Sequence, residues 1–201
     1  MLLIFLVNLS MENLFLVCLI PSLSITEDVD VIRNEISDKY KVYESLKRPV
    51  HITLYNPVKI SSLEMEKSFF KALESASFSE SFSQVLKGFG SFAPHTIFID
   101  VDRNAHIMQL QAQIKSALKP LALINQKDSF KFNPHLTIAF KDVKPETYAS
   151  TMDEYKDKNF KREFFVDRFW VYKHIDKRWQ PYKEFLFKNP KDEPKPLSLF
   201  D

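Results

Sequence analysis

The 201-residue chain reads as a mixed strand-and-helix protein of two pseudo-symmetric lobes around a central cleft. Three observations predict this. A four-residue strand pattern occurs twice, as His51-Ile52-Thr53-Leu54 and His135-Leu136-Thr137-Ile138. Each copy holds the same place in a repeated order: strand, helix, His/Thr strand, helix, strand. The two histidines stand 84 residues apart, close to the spacing of the first strands of the halves, near Leu14 and near His95. A repeat of that length is too long for a solenoid unit and points to two lobes about a twofold axis. Such an axis brings equivalent strands together, so two His/Thr faces line one cleft.

Leu14–Ile20 is a short apolar run ended by Pro21, as expected of a buried strand. Thr26, Glu27 and Asp28 predict a helix start, and Val29, Ile32, Ile36 and Tyr40 then recur at helical spacing. Pro49 breaks the chain before the first His/Thr strand, Val50–Asn56, which Pro57 ends. Ser62 caps a helix carrying Leu63, Phe69, Phe70 and Leu73. Ser81–Phe92 is a strand with Gly88 as a bulge. His95–Val101 opens the second half, with Thr96, Phe98 and Asp100 opposite Ile97, Ile99 and Val101. Asn104 caps a helix carrying Ile107, Leu110, Ile114 and Leu118, which Pro120 ends. A looser stretch, 121–133, leads to the second His/Thr strand, Pro134–Phe140. Pro145 starts a helix running to about Lys158. Arg162–His174 reads as one long aromatic strand, Asp176–Arg178 as a turn, and Trp179–Phe187 as its hairpin partner.

An apolar content of 45% and this length fit a single bilobal domain, expected over residues 11–188. Residues 189–201 hold three prolines and scattered charges, which predicts a loose tail. Residues 1–10 read as an upstream extension, with Met11 as the natural start. The amino-terminal apolar run also resembles the h-region of a secretory segment, but no Lys or Arg precedes Arg33 to form a positive n-region. Polar residues interrupt the run before it reaches the roughly 20 apolar residues of a membrane span, so no membrane association is expected. The single cysteine, Cys18, precludes an intramolecular disulfide and any cysteine-based zinc site, and fits a reducing, cytoplasmic setting. With only Gly88 and Gly90, the chain has neither a P-loop nor a dinucleotide fingerprint. The net charge of +2 does not demand nucleic acid as a partner, nor does it exclude a local basic cleft.

In a strand, alternate side chains share a face. His51 and Thr53 then lie together, with Tyr55 beyond them, while Val50, Ile52 and Leu54 face the core. His135 and Thr137 share a face likewise, with Ala139 the counterpart of Tyr55, and Leu136, Ile138 and Phe140 point away. Histidine titrates near neutrality, so a pair can supply one base and one acid. Each Thr hydroxyl, roughly 7 Å along the strand from its histidine, can donate to a phosphate oxygen held between the lobes. No metal is needed. His95, His106 and His174 do not repeat the motif, and no carboxylate or histidine stands at close ligand spacing to the motif histidines. Tyr55 is a candidate to stack on a base. Lys47 and Arg48 before the first motif and Lys131 before the second are candidates to steer a polyanion. Tyr172 and Lys173, on the late strand, are candidates to reach the cleft.

The doubled His-x-Thr motif, with Pro134 before the second histidine, resembles that of the 2H phosphoesterase superfamily, in its 2′-5′ RNA ligase-like branch. The resemblance covers residues 12–188. It implies an α+β fold of two pseudo-symmetric lobes of antiparallel sheet, with helices packed outside and a central cleft. It also implies cyclic phosphodiesterase or RNA-ligase-like activity on 2′,3′-cyclic phosphate or 2′-5′-linked ends, independent of metal, ATP or other cofactor. By the same resemblance His51 and His135 are general base and general acid, in an order left open, and Thr53 and Thr137 bind phosphate. The implied partner is RNA or a nucleotide with a 2′,3′-cyclic phosphate, taken by a monomer.

Overall fold

Eight strands form one antiparallel sheet in the order β6-β3-β4-β5-β2-β1-β7-β8. The computed structural model describes residues 13–123 and 131–192. In chain order the elements are β1 (Asn13–Leu19), α1 (Leu23–Tyr40), β2 (Ile52–Ile60), α2 (Leu63–Ala76), β3 (Phe82–Phe92), β4 (Thr96–Val101), α3 (Ala105–Leu118), β5 (His135–Phe140), α4 (Pro145–Tyr155), β6 (Lys161–Val166), β7 (Arg168–Ile175) and β8 (Arg178–Leu186). A short 3-10 turn, Glu44–Lys47, precedes β2. The expected extension 1–10 and all but the start of the expected tail lie outside the described residues.

The two lobes are the two halves of this sheet, β6-β3-β4-β5 and β2-β1-β7-β8. They meet at β2 and β5, where Ile52 stands opposite Leu136. Both side chains are fully buried. They lie on the face that also packs Val29 and Ile36 of α1 and Ile107, Leu110 and Ile114 of α3. On the same side Phe15 of β1 meets Phe69 and Phe70 of α2, and Phe89 of β3 meets Tyr155 of α4. The helices therefore cover one face, and the His/Thr residues occupy the other.

The helix caps follow local chemistry. Ser62 Oγ accepts from the Met65 amide at 3.1 Å, and Asn104 Oδ1 accepts from the Ile107 amide at 3.0 Å. Gly88 has φ +71° in a bulge where β3 gains a residue on β4 between Leu86 and Phe89. The β7–β8 turn uses Asp176 and Lys177, both at positive φ, as a tight hairpin requires.

Four expectations are corrected. The first helix begins at Leu23 rather than near Thr26, since Ser22 rather than Thr26 takes the cap position. Pro57 does not end β2, because it falls at a bulge between the Phe15–Val58 and Val17–Tyr55 pairs, where no ladder amide is required. The run 162–174 is not one strand. It breaks at Asp167, with β6 pairing β3 in one half and β7 pairing β1 in the other. The last strand of the first repeat, β3, also crosses over and pairs β4 and β6 of the second half.

Candidate active site

Ile52 opposite Leu136 in an antiparallel pair sets the geometry of the site. Stepping one residue each way places His51 beside Thr137 and Thr53 beside His135, all on the face away from the helices. The two motifs thus form a four-cornered cluster with the two histidines on one diagonal and the two threonines on the other, around a pseudo-twofold axis through the Ile52–Leu136 pair. All four residues are partly buried.

Both histidines are held in the same way. His51 Nδ1–H donates to the Pro49 carbonyl at 2.7 Å, and His135 Nδ1–H donates to the Asn133 carbonyl at 2.8 Å. A carbonyl can only accept, so Nδ1 carries the proton in each neutral ring and Nε2 keeps its lone pair. The loops bearing these carbonyls are braced by arginines. Buried Arg33 of α1 donates through Nη2 to the Ser45 carbonyl and to the Arg48 carbonyl, the latter at 2.8 Å. Arg103 donates to Asn133 Oδ1 from Nε and Nη2, at 3.1 and 2.6 Å. Asp142, just past β5, accepts from the Tyr43 and Glu44 amides and so ties the approach to one motif to the exit from the other.

The surroundings differ. Burial, together with Arg48, Arg33 and His135 as positive neighbours, pushes His51 down to about 4 despite its bond to Pro49. His135 is also lowered by burial, opposed first by its bond to the Asn133 carbonyl and then by Asp100. Asp100 stands directly opposite His135 on β4. Phe92 and Phe98 wall the His135 ring, at centroid distances of 4.9 and 5.1 Å.

A bulge follows the threonine in each motif strand. On β2, Thr53 and Tyr55 oppose the consecutive residues Cys18 and Val17. On β5, Thr137 and Ala139 oppose the consecutive residues Phe98 and Ile97. Leu54 and Ile138 are the extra residues, and alternation reverses beyond them. Tyr55 therefore turns into the core, 6% exposed, and does not wall the cleft; Ala139 turns with it at 1%. Phe140 comes onto the His/Thr face instead, and the Arg48 guanidinium lies over its ring at 4.8 Å.

Arg48 therefore lies beside the His/Thr face, over Phe140 and near enough to His51 to disfavour its charged form. Tyr172 shares the His51/Thr53 face through the pairs Cys18–Thr53, Cys18–Trp170 and Leu16–Tyr172, and burial pushes its phenol up to about 12. Lys173 points to the other face, over the Phe15 and Tyr182 rings beside α2. Lys47 is exposed and paired with Glu44, and Lys131 is exposed. His95 bonds the Val143 carbonyl at 3.1 Å, His106 stacks on Phe82, and His174 packs against Trp179. Among the described residues no cluster of His, Cys, Asp or Glu could hold a metal ion. No helix among them is long and apolar enough to cross a membrane. Cys18 is fully buried, which raises its thiol pKa and makes it a structural residue.

Asp100, Phe92, Phe98, Arg33 and Phe140 were not singled out from sequence. The alternation of Thr96, Phe98 and Asp100 was visible, but not that β4 pairs with β5.

The family model of the 2′-5′ RNA ligase superfamily matches residues 21–178. A Bacillus pumilus protein whose name places it among the phosphoesterases is 25% identical over 173 residues, spanning 85% of this chain and 95% of that protein. A Bacillus licheniformis relative of similar name is 22% identical over 85% of this chain and 96% of its own. Among solved structures, Escherichia coli LigT complexed with 3′-AMP matches with a TM-score of 0.62 at 18% identity, covering 88% of this chain and 98% of LigT. TT0787 of Thermus thermophilus matches with a TM-score of 0.63 at 14% identity, with the same coverage. These two likenesses speak to the fold.

Proposed function

The chain belongs to the 2′-5′ RNA ligase superfamily of 2H phosphoesterases, and from that premise we propose that it opens 2′,3′-cyclic phosphates of nucleotides or RNA ends by paired-histidine catalysis. The observation that carries this is the Ile52–Leu136 pair, which sets both histidines and both threonines on one face. The matched Nδ1 bonds leave both Nε2 atoms available to take up or deliver a proton.

His51, kept neutral by burial and two arginines, is the general base. Its Nε2 removes a proton from water as the water oxygen forms a bond to phosphorus. His135, supported by Asp100, is the general acid. Entering the reaction as the imidazolium, protonated on both ring nitrogens, it gives its Nε2 proton to the ribose oxygen as that P–O bond breaks. Thr53 and Thr137 donate to the phosphate oxygens, and Arg48 offsets the developing negative charge. With a ribose hydroxyl in place of the attacking water, the same displacement joins a 2′-5′ linkage, and in its reversal the histidines exchange roles. Nothing here uses ATP or a metal. The 3′-AMP in the LigT complex supports a nucleotide as the bound species.

The test is direct. Purified protein with chelator and no ATP is expected to convert adenosine 2′,3′-cyclic phosphate to a monophosphate. His51→Ala and His135→Ala should each stay folded by circular dichroism and lose activity. Full turnover by either variant would falsify the mechanism. A protein that binds the nucleotide but never opens it would be a binding module instead.

A further inference from the structure

We infer that Phe92, backed by Phe98, is a stacking platform for the nucleobase of the bound nucleotide, on the His135 side of the site. This builds on the two-histidine reading and assigns the residue that holds the base of its nucleotide substrate.

Phe92 ends β3 on the His/Thr face: it pairs Thr96, and Gly90 pairs Phe98, which in turn pairs Thr137. It is 41% exposed. Single exposed rings are ordinary on protein surfaces, and Phe165 is more exposed at 68%. What sets Phe92 apart is its support. Its ring lies 4.6 Å from Phe98 and 4.9 Å edge-on to His135. Phe98 is itself 3% exposed and anchored beside His135. The two rings and the imidazole make a fixed wall with one outer aromatic surface open.

Gly90 makes room for that wall. A Cβ there would lie 2.6 Å from Phe98 Cε2 and 3.1 Å from Asp100 Oδ1, so only glycine lets Phe98 lie across β3. The open ring stands next to the histidine that faces the leaving ribose oxygen. A ribose held there carries its base away from the phosphate and toward Phe92. Every base has a π-face, so such a platform favours nucleotides without selecting among them. Tyr55, the stacking candidate from sequence, is turned into the core and cannot serve.

Calorimetric affinities for adenosine 3′-monophosphate and for ribose 3-phosphate, which lacks the base, test this without requiring turnover. Wild-type protein is expected to bind the nucleotide about tenfold more tightly. Phe92→Leu, which keeps an apolar cover on His135, should bring the two affinities together, and Phe92→Trp should keep or widen the gap. Equal affinities in wild type, or a gap that survives in Phe92→Leu, would overturn the platform. A protein that shows the gap and loses it in Phe92→Leu, yet opens no cyclic nucleotide, keeps the base site and loses only the catalytic reading.

Discussion

His51 and His135 share a motif, a backbone hydrogen bond and a sheet face, yet they sit in unlike electrical surroundings. Around His51 the named charges are positive, Arg33 from α1 and Arg48 from the preceding turn. Beside His135 the named charge is negative, Asp100, and the walls are the rings of Phe92 and Phe98. A duplicated sequence pattern therefore carries position, while its neighbours set protonation. Two groups whose surroundings push their proton affinities apart can serve as base and acid. Entry of an anionic phosphate raises both, but the difference between them is built into the protein.

The largest effect tests the division of labour. Each alanine variant should lose on the order of a hundredfold to ten-thousandfold in kcat. A cyclic phosphodiester with a phenolate leaving group needs no protonation as it departs. It should restore most of the rate to His135→Ala and little to His51→Ala. Equal rescue of both would erase the assigned roles.

The architecture around this comparison was largely legible in the sequence. The motif strands announced themselves by alternation. Ser62 and Asn104 marked their helices, and Gly88 marked its bulge. The 84-residue recurrence gave the twofold relation. Two of the failures share a cause. Tyr55 and Phe140 were assigned by strict alternation, and a single extra residue after each threonine reverses it. Both strands read as unbroken alternating runs, with nothing local to signal a bulge. Asp100 and Phe92 were missed because their roles depend on which strands pair. That choice is made by long-range packing, as the crossing of β3 into the other half shows. Arg33 looked like one more charge on a helix, and only the turn that brings the Ser45 and Arg48 carbonyls to it gives it a task.

The threonines give the next effect. Thr53→Val and Thr137→Val keep shape and remove one donor to a charged phosphate oxygen. Each should lower kcat/KM roughly tenfold to a hundredfold. The pseudo-symmetry makes the two losses similar, in contrast to the histidines. A Thr53→Val enzyme at wild-type kcat/KM would remove that hydroxyl from the phosphate site.

Smaller changes should move one limb of the pH profile at a time. Asp100 favours the protonated His135, so Asp100→Asn lowers the acid's pKa and shifts the alkaline limb to lower pH. Arg48 disfavours the protonated His51, so Arg48→Met raises the base's pKa and shifts the acid limb to higher pH. The profile narrows from opposite sides in the two variants. If Asp100→Asn moved the acid limb instead, His135 would be the base.

The smallest effect is on stability, and it compares the histidines without substrate. His51 titrates at about 4 in the folded protein, against about 6.5 when unfolded. Between those values the unfolded chain binds the extra proton, so stability rises with pH. His51 contributes in full above about pH 6.5, and that contribution is lost as pH falls toward about 4. Glu154, held down at about 2 by Lys39, Lys158 and Tyr40, loses its contribution at lower pH, below the ordinary carboxylate value of 4.5. Urea midpoints between about pH 4.5 and 6.5 therefore report mainly on histidines. His51→Gln should flatten the slope in that window more than His135→Gln, whose folded-state shift Asp100 opposes. A steeper dependence owed to His135 would mean that Asp100 does not offset its burial, and the electrical contrast between the two halves would fail.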